Sequence, residues 1–513
     1  MGKFYLTTAI DYANGEPHIG HAYEKIGADV IARYRRMRGD DVWFLTGVDE
    51  HGQKVAQAAA ERGVSPQAFV DEIAARFTRM WERLSISYDR FIRTTEPGHK
   101  LGVRALIERI HSLNPDDFYE KSYEGWYCVG CELFKRDDEI VDGKCVLHPT
   151  RTLEWTTERN WFFRLTKYQD FLRAHFAAQP EFLSPTTRRN EILALLEQGL
   201  EDISITRSRL SWAIPFPLPL STGEIQGTWV WFDALPNYLT ATGFPEPGYE
   251  QRWPAQLHVV GKDITRLHAV IWPAMLEAAQ LPLPGRVWAH GFVLLSGERF
   301  SKSAGVRLDM DEAIDRFGTD ALRYFLLREV PFDADGGFSY ERFDERYNSD
   351  LANSLGNLAS RAIAMVEKYF DSIVPAGPRV DLDRADSGDA AEYHAAMDGS
   401  QGFLLHDGLK RVMASVARGN EFVQASQPWA LAKNPEKRAE LESVLAAIVR
   451  QLARHAIHLA PFMPAKAQEL WVQIGGTGRV ETQRFADVDS LDVAGWRVAK
   501  GASLFPKPQS PTP

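Results

Sequence analysis

Two short segments of the chain contain residue types that suit the phosphates of a nucleotide. One is His-Ile-Gly-His at residues 18–21, and the other is Arg-Phe-Ser-Lys-Ser at residues 299–303. Imidazole, guanidinium and ammonium groups stabilise the negative charge that develops on phosphate oxygens when a phosphoryl or nucleotidyl group is transferred. Each segment alone is also compatible with surface histidines or a solvated polar loop, because short motifs give false matches. Together they predict nucleotidyl transfer.

The first segment lies where the sequence predicts the start of a helix. Residues 3–10 are rich in β-forming residues, residues 12–17 are typical of a turn, and apolar residues then recur at helical spacing until Gly39. A helix N-terminus offers N–H groups and a partial positive charge to phosphate, and a glycine leaves room for an adenine ring. We therefore predict three ATP-binding residues, of which the two histidines are also catalytic: His18, Gly20 and His21.

The second segment follows a predicted strand and is expected to form a flexible loop. Such a loop can close over a triphosphate, and Lys302 can neutralise the charge that develops as pyrophosphate leaves. We predict that Arg299 and Lys302 are catalytic. The residues of this loop expected to contact ATP are Ser301, Lys302 and Ser303.

The three cysteines of the chain and one histidine have the spacing of a metal site. Cys128 and Cys131 form a Cys-x-x-Cys pair, and Cys145 and His148 form a Cys-x-x-His pair after thirteen further residues. Three thiolates and one imidazole in this arrangement are typical of a tetrahedral structural zinc ion, which has no open position for a catalytic water. The sequence therefore predicts one structural Zn²⁺ per chain, and the alternative is three buried thiols.

A parallel sheet is needed to position these residues. Two nearly all-apolar segments, residues 3–10 and 42–48, flank the predicted first helix and indicate a βαβ unit of a doubly wound nucleotide-binding sheet. Matching strands are predicted at residues 257–260 and 287–295. Residues 116–225 lie between the two halves and contain the cysteines and many aromatic residues, so they are predicted to form an inserted domain.

The C-terminal part of the sequence predicts a helical bundle from about Asn348 onward. The proline-rich residues 505–513 cannot form a helix or a strand and are expected to be disordered. The predicted fold class is therefore α/β, with a Rossmann-type parallel sheet that is split by a zinc-binding insertion and followed by an all-α bundle. Two apolar stripes at helical spacing support the bundle: Leu351, Leu355, Leu358 and Ile363, and then Val444, Ile448, Leu452 and Ile457.

Composition limits the class of protein. With 513 residues and 44% hydrophobic content, the chain is expected to form three or four domains. A formal charge of −10 argues against a protein that coats nucleic acid without specificity, although a basic stripe can still bind RNA. The sequence has no apolar run of the signal-peptide or transmembrane type, and few cysteines suit a reducing compartment. We therefore expect a cytoplasmic protein with no membrane partner.

The two phosphate-binding segments together resemble the two signatures of the class I aminoacyl-tRNA synthetases, His-x-Gly-His and Lys-Met-Ser-Lys-Ser. Arg299 and Phe300 depart from the second signature, but the positive charge at position 299 is kept. Further segments resemble the methionyl members of that family, and the similarity extends over most of the chain. These segments are residues 8–15, 47–52, 229–234, 260–264 and 272–273, together with His268.

The resemblance implies a methionine site with aromatic walls. Aromatic rings suit a polarisable thioether, and a carboxylate suits an ammonium group. Asp49 is therefore expected to bind the substrate ammonium group, and Tyr12 is also expected to contact ATP. Taken one at a time, Tyr12, Trp231 and His268 are also compatible with an ordinary core. The residues expected to line the methionine site are Ala9, Ile10, Tyr12, Trp231, Tyr238, Ile264 and His268.

A second expected site lies in the helical region. Asn353, Asn357 and Arg361 are spaced four residues apart and share one helix face, and Trp429 lies near the start of a later helix. Proteins read single-stranded RNA by stacking unpaired bases on aromatic rings and bonding their edges to polar side chains. The same residues could serve as helix caps, solvated groups and a core anchor. Because they match the anticodon-reading positions of the family, the resemblance implies that they bind an anticodon.

The resemblance also implies a division of the chain into six regions. They are the first half of the Rossmann catalytic domain (1–115), the zinc-binding connective insertion (116–225), the second half of the catalytic domain (226–295), a signature-loop and stem-contact region (296–347), the helical anticodon-binding domain (348–490) and a C-terminal tail (491–513).

The activity implied by the resemblance is that of a methionine–tRNA ligase. Such an enzyme uses ATP with Mg²⁺ to form methionyl-adenylate and pyrophosphate, and then transfers methionine to the 3′ end of tRNA(Met). The expected partners are ATP, L-methionine and tRNA(Met), and the expected cofactors are Zn²⁺ and Mg²⁺. No appended tRNA-binding barrel is recognisable in the sequence, so a monomer is expected.

Two alternatives remain at this point. One is a class I synthetase for isoleucine, leucine, valine or cysteine; the first three usually carry a larger editing insertion, and the cysteine enzyme binds a catalytic zinc beside its substrate. The other is a synthetase-like paralogue that binds RNA without catalysis. The presence of His18, His21, Asp49 and Lys302 argues against this second alternative.

Overall fold

The computed structural model describes residues 2–128, 133–135, 139–146, 148–295, 298–299 and 309–506. In the first part of the chain the strands are β1 (Lys3–Thr8), β2 (Asp11–Tyr12), β3 (Asp41–Asp49) and β4 (Arg90–Arg93), and the helices are α1 (Ile19–Arg38), α2 (Gln53–Glu61), α3 (Pro66–Arg83) and α4 (Pro97–Leu113). The helix predicted to end at Gly39 is confirmed, since this glycine closes α1 with a φ of 97°.

The middle of the chain is rich in short strands. The strands are β5 (Phe118–Cys128), β6 (Leu133–Phe134), β7 (Ile140–Val141), β8 (Lys144–Cys145), β9 (His148–Thr152), β10 (Glu154–Phe163), β11 (Leu183–Ser184), β12 (Ile203–Ser204), β13 (Thr206–Arg207), β14 (Gly227–Thr228), β15 (Leu257–Gly261), β16 (Val287–His290), β17 (Val293–Leu295), β18 (Glu298–Arg299) and β19 (Gly336–Phe338). The helices between them are α5 (Gln169–Ala178), α6 (Thr186–Gln198), α7 (Val230–Ala234), α8 (Asn237–Thr240), α9 (Trp272–Ala278), α10 (Met310–Phe317) and α11 (Thr319–Glu329).

The remainder of the described chain is helical. The helices are α12 (Tyr340–Arg346), α13 (Asn357–Phe370), α14 (Asp381–Met397), α15 (Leu405–Ser426), α16 (Pro428–Leu431), α17 (Arg438–Leu459) and α18 (Pro464–Gln473). Two segments have π-helical turns, Leu267–Ile271 and Tyr347–Gly356. Among the described residues, no helix combines the length and the hydropathy that a bilayer span requires.

The central sheet has seven strands in the order β11-β16-β15-β1-β3-β2, with β4 also paired to β3. Every pairing in it is parallel. One large cluster of buried apolar residues lies against α1 and α3 and continues through α11 into the C-terminal helices, and a second lies against α4 and α9. The α/β class with a helical C-terminal region is confirmed. The parallel sheet takes its edge strand, β11, from inside the range 116–225 that was expected to form the insertion.

The inserted region is built on a long antiparallel hairpin. Strands β5 and β10 pair from Phe118–Phe163 at the base to Tyr127–Glu154 near the tip. Its base is fastened to the second core cluster by aromatic contacts, since the ring of Phe118 lies 5.8 Å from that of Phe163 and 6.3 Å from that of Phe232. The hairpin therefore carries its distal end away from the parallel sheet on a rigid stem.

The single strand predicted over residues 287–295 is wrong. Strand β16 ends at His290, and β17 pairs with β18 and β19 in a separate small sheet. Gly291 explains the break, because a Cβ at this position would lie 2.0 Å from the carbonyl oxygen of Ala334. The N–H of Phe292 then donates to Oδ1 of Asp335 at 2.8 Å, so this loop holds the chain where it leaves the parallel sheet.

The disorder expected from residue 505 is wrong for the first two residues of that tail. Phe505 is buried, and its ring lies edge-on to that of Tyr347 at 6.2 Å. The hydroxyl of Tyr347 donates to the carbonyl oxygen of Pro506 at 2.6 Å. Prolines exclude regular structure here, but apolar burial still anchors the chain. Residues 507–513 lie outside the described part of the chain.

Candidate active site

The residues expected to bind small substrates meet at the carboxyl ends of the parallel strands. Strand β1 has β15 on one side and β3 on the other, which makes its carboxyl end a topological switch point, where ligands bind in open α/β sheets. Ala9 and Ile10 follow β1, Asp49 ends β3, and Ile264 lies just after β15. The fold thus brings together residues that are distant in the sequence.

A one-residue bulge separates β1 from β2. Thr7 pairs with Leu45, whereas Asp11 pairs with Val48, so the β1 side contains one residue more than its partner strand. The extra residue falls within the segment Ala9–Ile10, and both of these residues are half-buried. Because side chains alternate along a strand, a shift of one residue turns those that follow to the other face. The bulge therefore determines how the chain from Ala9 to Tyr12 faces the cleft.

The two histidines of the first segment cap helix α1. His18 is the N-cap residue, and its Nδ1 accepts from the N–H of Gly20 at 3.1 Å; Nδ1 of His21 accepts from the N–H of His18 at 3.3 Å. The rings stack with centroids 3.6 Å apart. Since each Nδ1 accepts a hydrogen bond, the neutral tautomer of each ring carries its proton on Nε2. Both rings therefore have a donor on the Nε2 side at a helix N-terminus.

Gly20 lies against this pair of rings. A Cβ at position 20 would lie 3.1 Å from Cε1 and 3.2 Å from Nδ1 of His18, closer than ordinary van der Waals contact. A larger residue would therefore require the His18 ring to shift from its present position. Position 20 therefore favours glycine because of the neighbouring His18 ring, in addition to the space that the sequence suggested for an adenine ring.

Tyr238 and His268 form the buried wall of the expected methionine site. The Tyr238 hydroxyl lies 2.7 Å from Nε2 of His268, and Nδ1 of His268 lies 3.0 Å from the carbonyl oxygen of Ile264. A carbonyl only accepts, so Nδ1 carries the ring proton, and Nε2 accepts from the tyrosine hydroxyl. Burial lowers the pKa of His268 to about 4 and raises that of Tyr238. Both groups are therefore neutral at physiological pH.

The remaining residues expected around methionine are reached from solvent. Ala9, Ile10, Tyr12, Trp231 and Ile264 are all half-buried and pack against the second core cluster. The ring of Trp231 is edge-on to that of His268 at 6.4 Å, and the ammonium group of Lys54 lies 5.3 Å from the ring centroid of Tyr12. Asp49 is buried. An enclosed wall with a half-open rim is typical of a small-molecule site.

A buried ionic group, missed by the sequence analysis, lies beside this wall. Nζ of Lys25 donates to Oδ1 of Asp11 at 2.5 Å, to Oε1 of Glu24 at 2.8 Å and to the carbonyl oxygen of Ala9 at 3.1 Å. The other carboxylate oxygen of Glu24 lies 3.0 Å from Nε2 of His290. The sequence did contain a signal for this group, since two adjacent charged residues, Glu24 and Lys25, interrupt an apolar stretch of α1.

A second missed group joins two segments that carry the family resemblance. Nδ1 of His51 lies 2.7 Å from Oδ2 of Asp233, and Nε2 of His99 lies 2.9 Å from Oδ1. Burial alone would raise the pKa of Asp233, but the two histidines lower it to about 2. This ionised carboxylate ties the chain that follows Asp49 to the helix that contains Trp231. Sequence spacing offers no signal for a contact between residues so far apart.

Three of the four expected metal ligands come together at the end of the hairpin. Sγ of Cys128, Sγ of Cys145 and a ring nitrogen of His148 all lie within 4.8 Å of one another. Both cysteines are buried, and Cys145 pairs with His148 across β8 and β9. Buried sulfur and imidazole ligands so close together fit a zinc ion. Cys131 lies outside the described residues.

The second phosphate-binding segment is described only at its beginning. Strand β17 leads into β18, which ends at Arg299 and pairs antiparallel with β17. Ser301, Lys302 and Ser303 lie outside the described residues, and so does Phe300. Strand β17 begins just after the carboxyl end of β16, so the segment starts on the side of the sheet where the cleft lies.

The expected anticodon residues lie on the helical region. Asn353 and Asn357 are exposed, the first in the π-helical segment and the second at the start of α13. The guanidinium of Arg361 lies 5.8 Å from the ring centroid of Trp429, and both side chains are half-buried. The structure thus brings Arg361 and Trp429 together, although 68 positions separate them in the sequence.

Comparisons with known proteins agree with this geometry. The family model of the class I tRNA synthetases (M) matches residues 4–152 and 138–363. A methionine–tRNA ligase of Caldanaerobacter subterraneus subsp. tengcongensis is 41% identical over 512 residues, which cover 98% of this chain and 78% of the relative. One of Brucella suis biovar 1 is 42% identical over 503 residues, covering 96% of this chain and 95% of the relative.

A solved structure is similar over the whole chain. The Mycobacterium tuberculosis methionyl-tRNA synthetase in complex with methionyl-adenylate superposes with a TM-score of 0.92 at 39% sequence identity, covering 99% of this chain and 100% of that one. Both the fold and the sequence are thus shared from end to end with enzymes of one specificity. This chain belongs to the methionine–tRNA ligase family of the class I tRNA synthetases.

Proposed function

We propose that this chain activates L-methionine with ATP and transfers it to the 3′ end of tRNA(Met). The observation that carries the proposal is the stacked His18–His21 pair at the N-terminus of α1, the helix whose Glu24 acts electrostatically on the hydroxyl of the neutral Tyr238–His268 wall. One half of the cleft suits phosphate oxygens, and the other suits an uncharged thioether side chain. The similar proteins of Caldanaerobacter subterraneus and Brucella suis are named methionine–tRNA ligases.

In the first step the methionine carboxylate attacks the α-phosphorus of ATP, and the bond to the pyrophosphate oxygen breaks. The Nε2–H groups of His18 and His21 donate hydrogen bonds to phosphate oxygens that gain charge. Arg299 and Lys302, with Ser301 and Ser303, bind the triphosphate from the loop. Mg²⁺, when bound with ATP, supplies charge neutralisation for the departing pyrophosphate. No side chain needs to form a covalent bond with the substrate, since positioning and charge stabilisation suffice.

In the second step a ribose hydroxyl at the 3′ end of tRNA attacks the methionyl carbonyl of the adenylate, and AMP leaves. Asp49 holds the methionine ammonium group through both steps. The tRNA is selected at a distance by the helical region, where Asn353, Asn357 and the Arg361–Trp429 pair bind the anticodon. Exposed amides beside an aromatic ring and a guanidinium support this assignment, because they suit unpaired bases.

The experiment that tests the proposal is ATP–pyrophosphate exchange, run with each of the twenty amino acids in turn. We expect exchange that depends on methionine. Exchange with isoleucine, leucine, valine or cysteine in place of methionine would favour another class I specificity. Retained tRNA binding without exchange would favour a non-catalytic paralogue. Gel filtration of the same sample tests the expected monomer. We infer a cytoplasmic location, because thiols that bind a metal suit a reducing compartment.

We also propose that Cys128, Cys131, Cys145 and His148 bind one structural Zn²⁺. The three described ligands fit the ion in type and proximity. When bound, zinc supplies a cross-link that holds the end of the hairpin, and it takes no part in the chemical steps. Because structural zinc can supply roughly 10 kcal/mol to the folding of a small site, its loss should loosen the insertion.

The zinc proposal is tested with Cys145→Ser and His148→Gln. We expect each to lower the zinc content of purified protein and to make residues 116–225 sensitive to limited proteolysis, while the helical region stays protected. The matched control is His175→Gln, a half-buried histidine of the same region that lies outside the metal group. Wild-type protein that contains no zinc when purified without chelator would contradict the proposal.

A further inference from the structure

The buried lysine of α1 is placed where it can control the shape of the substrate cleft. The side chain of Lys25 is 0% exposed, and its three N–H donors are directed to Asp11, Glu24 and the carbonyl oxygen of Ala9. An ammonium group has three donors, so all of them are used. Two of the three acceptors flank or form the bulge, since Ala9 lies in it and Asp11 is the first residue of β2.

This contact compensates for what the bulge leaves unpaired. The N–H of Ala9 donates to the carbonyl oxygen of Val259 at 3.0 Å, which ties the bulge to β15. The carbonyl oxygen of Ala9 accepts from Lys25 and from the hydroxyl of Thr8. A buried peptide group outside a strand ladder needs such partners. Lys25 thus fastens the extra residue of the strand to the helix that begins with His18.

The ion pair also acts electrostatically on Tyr238, a residue of the expected methionine site. Asp11 precedes Tyr12 in the chain, and its charge acts on the Tyr238 hydroxyl, as does that of Glu24. Burial raises the pKa of Asp11 to about 7 although Lys25 lowers it, and the carboxylates of Asp11 and Glu24 outweigh burial to raise the pKa of Lys25. Loss of the ammonium group would therefore favour protonation of Asp11 and release the bulge.

We propose that Lys25 is a positioning residue for methionine binding, which acts by holding Ala9 in the bulge at the carboxyl end of β1 and Asp11 directly after it. Lys25 fixes the position of the segment that contains Ala9, Ile10 and Tyr12. The lysine itself does not touch the substrate. This inference rests on the proposed function. The two can be tested separately, because exchange by the wild-type protein tests the proposed function, whereas the variants test the role of Lys25.

The test compares Lys25→Met with Asp11→Asn. Lys25→Met keeps the length of the side chain and removes the donors, so we expect the KM for methionine in pyrophosphate exchange to rise by about 10- to 100-fold. The KM for ATP and the kcat should change much less. Asp11→Asn keeps the contact between Lys25 and Ala9, so its effect on the KM for methionine should be smaller. Equilibrium dialysis with labelled methionine, without ATP, should give the same ranking.

Arg450→Met is the matched control. Arg450 forms an equally buried ion pair with Asp383 in the helical region, at 2.8 Å, far along the chain from the cleft. This variant should lower the thermal stability and leave the KM for methionine unchanged. An unchanged KM in Lys25→Met, or an equal rise in Arg450→Met, would overturn the proposal. If Lys25→Met gives no cooperative thermal transition, Asp11→Asn decides: an unchanged KM for methionine in that variant overturns the proposal.

Discussion

The cleft and the helical region present their recognition residues in opposite ways. In the cleft, Tyr238 and His268 are each 1% exposed, and the ionic group of Lys25, Asp11 and Glu24 is buried. On the helical region, Asn353 and Asn357 are exposed, and Trp429 is half-buried. A small amino acid can be enclosed, so its selection depends on buried polar groups that must be satisfied. An RNA loop cannot be enclosed, so its bases must find exposed rings and amides.

The largest expected effect is confined to the cleft. Lys302→Ala should lower the rate of adenylate formation by about 10²- to 10³-fold, because its interaction forms mainly in the transition state. The affinity for methionine should stay close to that of the wild type. Arg299→Ala, at the position that departs from the family signature, is expected to have a milder effect. Pyrophosphate exchange measures both, and normal exchange in Lys302→Ala would remove the lysine from the mechanism.

An intermediate effect is expected on the helical region alone. Trp429→Ala should slow aminoacylation of tRNA by about 10- to 150-fold, since stacking on one base is worth roughly 1–3 kcal/mol. Methionine-dependent exchange should stay near the wild-type rate. The matched control is Phe370→Ala, which removes another aromatic ring that packs on an arginine, with 3.7 Å from the Arg438 guanidinium to the ring centroid.

Three outcomes of the Trp429 experiment are distinguishable. Loss of aminoacylation alone supports anticodon binding. A joint loss of aminoacylation and exchange, with a lower melting temperature, would make Trp429 a packing residue. An equal loss of aminoacylation in Phe370→Ala would mean that any damage to the helical region has this effect, and the comparison between the two regions would then be lost.

The smallest expected effect is on the stability of the protein. It depends on pH through Asp233. The folded-state pKa of Asp233 is about 2, below its ordinary value, so its contribution is fully present above about pH 4 and is lost as the pH falls through 2. Asp233→Asn should therefore remove about 2 kcal/mol at neutral pH and flatten the acid limb of the stability curve. Denaturant unfolding between pH 2 and 7 measures this. An unchanged acid limb would mean that the carboxylate is not held by His51 and His99.

Local features of the sequence were enough to predict much of the fold. The first helix begins at the predicted place because turn residues, capping residues and an apolar repeat all agree there. The apolar stripes at Leu351 and Val444 are buried as predicted. The error at residues 287–295 has a tertiary cause, since the close approach of Ala334 to Gly291 interrupts a segment that is continuously β-forming by composition. The error at residues 505–506 also has a tertiary cause, since Phe505 and Pro506 are held by Tyr347.

By itself, the sequence determined which chemical groups are present and their order: two histidines at a helix start, a cysteine and histidine group, and a helical C-terminal region. Only the tertiary structure decided which of them meet. A bulge depends on the register of a partner strand, and the contacts of Lys25 with Asp11 and of Asp233 with His51 depend on the order of strands in the sheet. Buried charges need partners wherever the fold supplies them, and spacing along the chain does not show where that is.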